Sequence, residues 1–169
     1  MKSATSSFSV SVDPGQLCFN AAHFITTNKS CENLHGHNFH VRIDACGYDD
    51  SDALVIDFVL INRIAKKICI HLNDKVLLPA SSAEVLIEEQ GEYLRVSSYN
   101  KQYVFPVDNC CLLPIGNATA EMLAWHICRQ LLEALQRQNA LGNLSEIEVA
   151  VEEADRQWGI YRQQVGGND

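Results

Sequence analysis

The stretch Cys31-Glu32-Asn33-Leu34-His35-Gly36-His37 sets two imidazoles two residues apart, with a thiol four residues ahead of the first. Side chains alternate along an extended backbone, so His35 and His37 share one face. The following residues carry the alternation on: Phe39, Val41, Ile43 and Ala45 continue that face, while Asn38, His40, Arg42 and Asp44 take the other. The spacing therefore predicts a strand from His35 to about Cys46 whose apolar face opens with two histidines. Neutral imidazole nitrogens hold divalent metals, and a three-ligand set leaves one coordination position free for chemistry. His23, in Phe19-Asn20-Ala21-Ala22-His23, is the candidate third ligand. Three imidazoles also accept iron, nickel or copper, so ligand type ranks zinc without singling it out.

Upstream of this strand, Phe8, Val10 and Val12 alternate, Asp13-Pro14-Gly15-Gln16 reads as a turn, and an extended run through Phe19, Ala21 and His23 completes a first hairpin. Downstream, Gly47 to Asp52 is a polar turn before Ala53 to Ile56, and Asp57 is a helix N-cap. Phe58, Ile61, Ala65, Ile68 and Leu72 keep helical spacing, which predicts a helix from Phe58 to Leu72 with one face on the sheet, over before Pro79. Between Pro79 and Pro114 the apolar positions come in short bursts, Val85 to Ile87, Tyr93 to Val96 and Tyr103 to Phe105, which predicts a small β-meander over about 80–113. A second helix follows from Asn117, carried by Met122, Leu123, His126, Ile127, Leu131 and Leu135 and ending near Gln138 to Gly142; a last strand spans about Glu146 to Glu153. Strands, helix, extra strands, helix, strand is the order of an α+β fold with helices packed on an antiparallel sheet.

A sequence of 169 residues, 47% apolar, suits a single domain over 1–169. Met1 to Thr5 open no signal-peptide apolar run, and no apolar stretch of roughly 18 residues offers a membrane span, so a soluble, cytoplasmic protein is expected. Seven cysteines without a C-x-x-C spacing argue against a disulfide framework or zinc ribbon. A formal charge of −8 argues against a broad nucleic-acid or anionic-membrane surface; Lys66, Lys67, Lys75 and Arg129 are the cations available for a local basic pocket. In the last strand Ile147, Val149 and Val151 define an apolar row that Glu153 ends. An ionised carboxylate is costly to bury alone, so Glu153 either emerges into solvent or meets a donor array such as the edge of a guanidine-like heterocycle.

Phe19 to His23, Cys31 to Asn38, Asp57-Phe58, Asn117-Ala118-Thr119-Ala120-Glu121 and Glu153 stand in the order seen in the 6-pyruvoyltetrahydropterin synthases, and the protein equally resembles the 6-carboxytetrahydropterin synthases of queuosine biosynthesis. The resemblance implies a tunnelling fold: an antiparallel sheet with two helices on one face, assembled into a multimeric β-barrel, commonly a homo-hexamer of two trimers with active sites between subunits. It makes His23, His35 and His37 the zinc ligands, Cys31 the general base and Glu153 the anchor of the pterin's amino-pyrimidine edge, with Thr119 and Glu121 at further pocket positions. The function implied is a zinc-dependent lyase acting on a small-molecule pterin like 7,8-dihydroneopterin triphosphate. Zinc would acidify the C–H bonds of the substrate's side chain and lower the pKa of a nearby thiol.

The sequence departs from this pattern where the family's Leu-Asp-His relay falls on Leu72-Asn73-Asp74. An amide is no general acid or base, and a carboxylate with a reference pKa of about 4 is poorly matched to acid catalysis at neutral pH. His71, three residues before Asp74, would share a helical face with it and could replace the relay histidine. The 80–113 meander stands where the family usually has a short link. Two other readings follow: a different pterin reaction, such as retro-aldol cleavage of the side chain, or a non-catalytic zinc- and pterin-binding protein. His40 and His126 read as ordinary surface or hydrogen-bonded core histidines.

Overall fold

The strand expected from His35 is β5, His35–Tyr48, and it is long enough to take two partners along one side. In the computed structural model, which describes residues 7–13, 15, 17–48 and 54–166, β1 (Ser7–Val12) pairs antiparallel with its far half and β2 (Cys18–His23) with its near half. On the other side lies β11, Leu144–Ala154, followed by β12, Gln157–Gln164. Phe39, Val41, Ile43 and Ala45 are fully buried, as the alternation requires, and meet Ile147, Val149 and Val151 of β11 in one core. Residue 14, residue 16 and residues 49–53 lie outside the described set, and with them half of the first predicted turn and the part of the polar turn that follows Tyr48.

Both helices pack into this core. Asp57 caps α1, Phe58–Leu72, accepting from the Val59 and Leu60 amides at 2.7 and 3.4 Å, and Ile61, Ile64, Ala65, Cys69 and Leu72 are buried. The second helix, α2, is Ala120–Arg137 with Thr119 as its cap. It begins three residues later than the periodicity suggests because Asn117 clamps the backbone of Thr26, donating to its carbonyl at 2.8 Å and accepting from its amide at 3.1 Å. The fold is α+β, two helices on a curled sheet.

The sheet is mixed rather than wholly antiparallel. β6 (Lys75–Pro79) runs parallel to β2, and β10 (Cys110–Leu113) runs parallel to β6, giving the order β10-β6-β2-β5-β11-β12. Between β2 and β6 the backbone passes through β5 and helix α1, which together give the long crossover that a parallel pair needs. The predicted meander is a separate antiparallel sheet of β7 (Leu86–Gln90), β8 (Tyr93–Ser98) and β9 (Lys101–Pro106). It has its own small core, in which Val85, Leu94 and Val96 meet Phe24, Cys31 and Leu78. Among the described residues no helix is long and apolar enough to cross a membrane.

Candidate functional site

Strand pairing brings the histidines together. His23, the last residue of β2, lies directly across from His35, the first of β5, and His37 is two residues further on the same face. Ring centroids are 4.6 Å apart for His23 and His35, 5.0 Å for His35 and His37, and 5.3 Å for His23 and His37. Glu153 reaches the same point from β11, where the register with β12 shifts between Glu152 and Ala154; a bulge of this kind re-aims a side chain. One ligand atom from each of His23, His35, His37 and Glu153 falls within a group whose members all lie within 4.8 Å of one another.

Hydrogen bonds fix the tautomers. A carbonyl oxygen only accepts, so His23 Nδ1–H donates to Ala118 O at 2.7 Å and His35 Nδ1–H donates to Asn33 O at 2.7 Å. In that tautomer each ring turns a bare Nε2 lone pair into the cluster, the arrangement that metal-bound histidines adopt. His23 is fully buried, and that burial lowers its pKa, against the opposing pull of the Ala118 carbonyl and Glu153. Its Nε2 lies 2.9 Å from Glu153 Oε1, which is also 3.8 Å from His37 Nε2. Both His23 Nε2 and Glu153 Oε1 are buried without a hydrogen-bond donor. Two acceptors at that distance repel unless a positive charge lies between them, and a divalent cation satisfies every one of these lone pairs. The donor set fits such an ion.

Cys31 is not part of the cluster. It is 5% exposed, its side chain lies in the small core under the meander, and its Sγ–H is directed at the Glu32 carbonyl at 3.4 Å. Burial pushes the thiol pKa up, with Ser98 and Lys101 pulling the other way. The neighbouring Glu32, which the sequence reading passed over, is exposed.

The segment after α1 is also rearranged. The helix ends at Leu72, and Asp74 has a left-handed φ of 57°, so the helical turn expected to carry His71 and Asp74 on one face stops short of Asp74. His71 lines a groove between α1 and α2 together with His126, whereas Asp74 lines a hollow beside His37, Gly36 and Asn38. Asn73 joins Asp74 to β2, donating to Asp74 Oδ2 at 2.8 Å and accepting from the Asn20 amide at 2.8 Å. Thr119 accepts from the Met122 amide as helix cap, and Glu121 is exposed in the first turn of α2. His40 faces Glu152 at 3.5 Å on the other side of the sheet, and His126 is buried in α2. The four basic residues form no single pocket: Lys66 and Lys67 line one hollow on α1, whereas Lys75 bonds the Asp108 carbonyl and Arg129 lies 3.8 Å from Glu133. The Ala118 and Asn33 carbonyls were invisible in the sequence, since a backbone acceptor has no residue signature.

A model of the 6-pyruvoyl tetrahydropterin synthase family matches residues 16–164. A Methanocaldococcus jannaschii protein provisionally named 6-carboxy-5,6,7,8-tetrahydropterin synthase is 33% identical over 147 residues, covering 86% of this chain and 90% of its own. The crystal structure of 6-pyruvoyl tetrahydropterin synthase from Plasmodium vivax superposes with a TM-score of 0.88 at 28% identity, over 95% of this chain and 99% of that one. A form of the P. vivax protein described as a catalytic-residue mutant, with alanine in place of a glutamate, superposes with a TM-score of 0.87, also at 28% identity and over the same shares of the two proteins.

Proposed function

The chain belongs to the 6-pyruvoyl tetrahydropterin synthase family, and from that premise we propose that it is a zinc-dependent lyase that cleaves the side chain of a dihydropterin of the 7,8-dihydroneopterin triphosphate type. The observation that carries the reading is the pair of orphaned acceptors, His23 Nε2 and Glu153 Oε1, inside a cluster of three imidazoles and one carboxylate. His23, His35 and His37 hold the metal, which when bound polarises the oxygens of the pterin side chain and makes the attached protons more acidic. Glu153, at the end of the buried row, closes the cluster through Oε1 and has its second oxygen left to accept from the amino-pyrimidine edge, and Thr119 and Glu121 border the same end of α2. A homo-hexamer of two trimers with sites between subunits is the assembly we adopt from the family. The free cysteines among the described residues support a reducing, cytoplasmic setting.

One observation favours a particular reaction. A thiol enclosed in the meander core, with its Sγ–H directed at the Glu32 carbonyl, is poorly placed to reach a substrate, so the role passes from Cys31 to its exposed neighbour Glu32, three residues before His35. The P. vivax protein, for which a glutamate is described as a catalytic residue, supports that transfer. A carboxylate is weak against a carbon-bound proton but adequate for a hydroxyl proton acidified by its surroundings. Retro-aldol cleavage asks only that: Glu32 takes the proton of the hydroxyl on the second carbon of the substrate's side chain, that carbon becomes an aldehyde, the bond to the first carbon breaks and the first carbon takes a proton. No separate Asp-His relay is needed, which agrees with Asn73 and Asp74 in its place.

The test is to incubate zinc-loaded protein with 7,8-dihydroneopterin triphosphate and identify all products by mass, alongside Cys31→Ala and Glu32→Gln. A pterin that keeps a single carbon of its side chain, formed by wild type and Cys31→Ala and lost in Glu32→Gln, is the expected result. A 6-pyruvoyl or 6-carboxy product that vanishes in Cys31→Ala returns the base role to the thiol. Binding without any product leaves a metal- and pterin-binding protein and sinks the lyase reading.

A further inference from the structure

The meander covers the loop that leads into the histidine pair and holds it at three points. Cys31 ends β4, Ser30–Cys31, which pairs with β3, Thr26–Thr27, and its side chain is enclosed with Leu94 and Val96 of the central meander strand. Lys101, the first residue of β9, donates from Nζ to Asn33 Oδ1 at 2.5 Å, and the Asn33 carbonyl is the acceptor that orients His35. Tyr103 of the same strand stacks at 5.7 Å on Phe24, the residue after His23.

Alternation converts this grip into a choice. With Cys31 turned into the meander core, Glu32 is left on the exposed side, and its amide is fixed to the Ile25 carbonyl at 3.0 Å so that the loop cannot roll. Apolar partners on one side of the loop are what distinguish the two neighbours, and Leu94 and Val96 are meander residues.

We propose that the meander is a selector: by burying Cys31 it presents Glu32 instead of the thiol to the site, and through Lys101 and Asn33 it sets the orientation of His35. Lys101 is a positioning residue, acting on the ligand through Asn33. The selector role rests on the reading of Glu32 as the base, whereas the burial of Cys31 and the grip on His35 do not.

Two measurements on the full-length, zinc-loaded protein test it, neither involving turnover. The first is the rate of alkylation by iodoacetamide at each cysteine, read by peptide mass. Exposed Cys18 is expected to react fast and Cys31 slowly, and Leu94→Ala to raise the Cys31 rate tenfold or more while Cys69, in the main core, stays protected and reports an intact fold. The second is zinc affinity by competition with a chelating dye. Lys101→Met is expected to weaken it about tenfold, the lower range for losing an outer-shell partner of a ligand, and Lys101→Arg to restore most of it. Cys31 reacting as fast as Cys18 in the wild type, or a Leu94→Ala variant that leaves it protected, overturns the burial argument. Unchanged affinity in Lys101→Met overturns the grip on His35. If both measurements hold but Glu32→Gln keeps full turnover, the fault lies in the choice of base and the selector role falls with it.

Discussion

Single atoms decide whether His23 can serve as a ligand. Its ring is buried, and besides the carboxylate it meets the Ala118 carbonyl, which keeps the proton on Nδ1. Asn117 holds that carbonyl in place: its side chain bonds both backbone groups of Thr26 and accepts from the Ala118 amide at 3.1 Å. Asn117→Ala leaves buried backbone groups unpaired, and we expect a loss of about 1–3 kcal/mol in stability by urea unfolding. The same change should weaken zinc binding by about tenfold in a competitive titration, because the ring loses its fixed orientation. Zinc affinity equal to wild type in a destabilised variant would separate the clamp from the site. The three histidines were legible in the sequence because parity and pairing place them, and residue spacing records both. Parity also put Glu153 on the face of the histidines, but the meeting of its carboxylate with His23 was not legible, since it depends on a strand more than a hundred residues away. Neither was the inward turn of Cys31, which depends on a sheet built from residues more than fifty positions later.

At the scale of elements, α2 comes close enough to β12 to require a glycine there. A Cβ on Gly159 would lie 2.4 Å from both the Ala120 carbonyl carbon and the Glu121 amide nitrogen, so only glycine lets the start of α2 settle on the strand beside the site. Gly159→Ala must push the helix away, and a loss of about 3 kcal/mol, the upper end for overpacking, is the expected result in urea unfolding. The same variant should bind a dihydropterin more weakly in a fluorescence titration, because Thr119 and Glu121 move with the helix. Strands with a long alternating face, such as β5 and β11, announced themselves. By contrast β6, β10 and β12 were not read: Val76-Leu77-Leu78-Pro79 is a continuous apolar run closed by a proline, β10 is only four residues long, and Gln157-Trp158-Gly159 interrupts any apolar pattern with the glycine that packing demands. The meander was legible as strands, whereas its grip on the loop was not, because Lys101 and Asn33 are 68 positions apart.

For the molecule as a whole, pH acts through buried imidazoles. His126 is 7% exposed in α2; burial lowers its pKa, the neighbouring His71 adds to this and Glu133 opposes it. The unfolded protein then takes up protons that the folded ring refuses once the pH falls below about 6.5, so stability is fully present above that value and declines beneath it. Urea midpoints of the metal-free protein should fall between pH 7.5 and 5.5, and fall less in His126→Gln. A drop of equal size in the variant would assign the effect to other groups. The site itself is drawn from distant parts of the sequence. Its three imidazoles lie within the first 37 residues, while the carbonyl that orients one of them belongs to Ala118 and the carboxylate to Glu153. During synthesis on the ribosome the histidines emerge long before the groups that orient His23 and close the cluster, so an early-captured metal would meet loose rings and a free choice of partners. An ion taken up by this cluster would therefore be held fully only after β11 has docked onto β5, so that the finished sheet would act as the proofreader of what is bound.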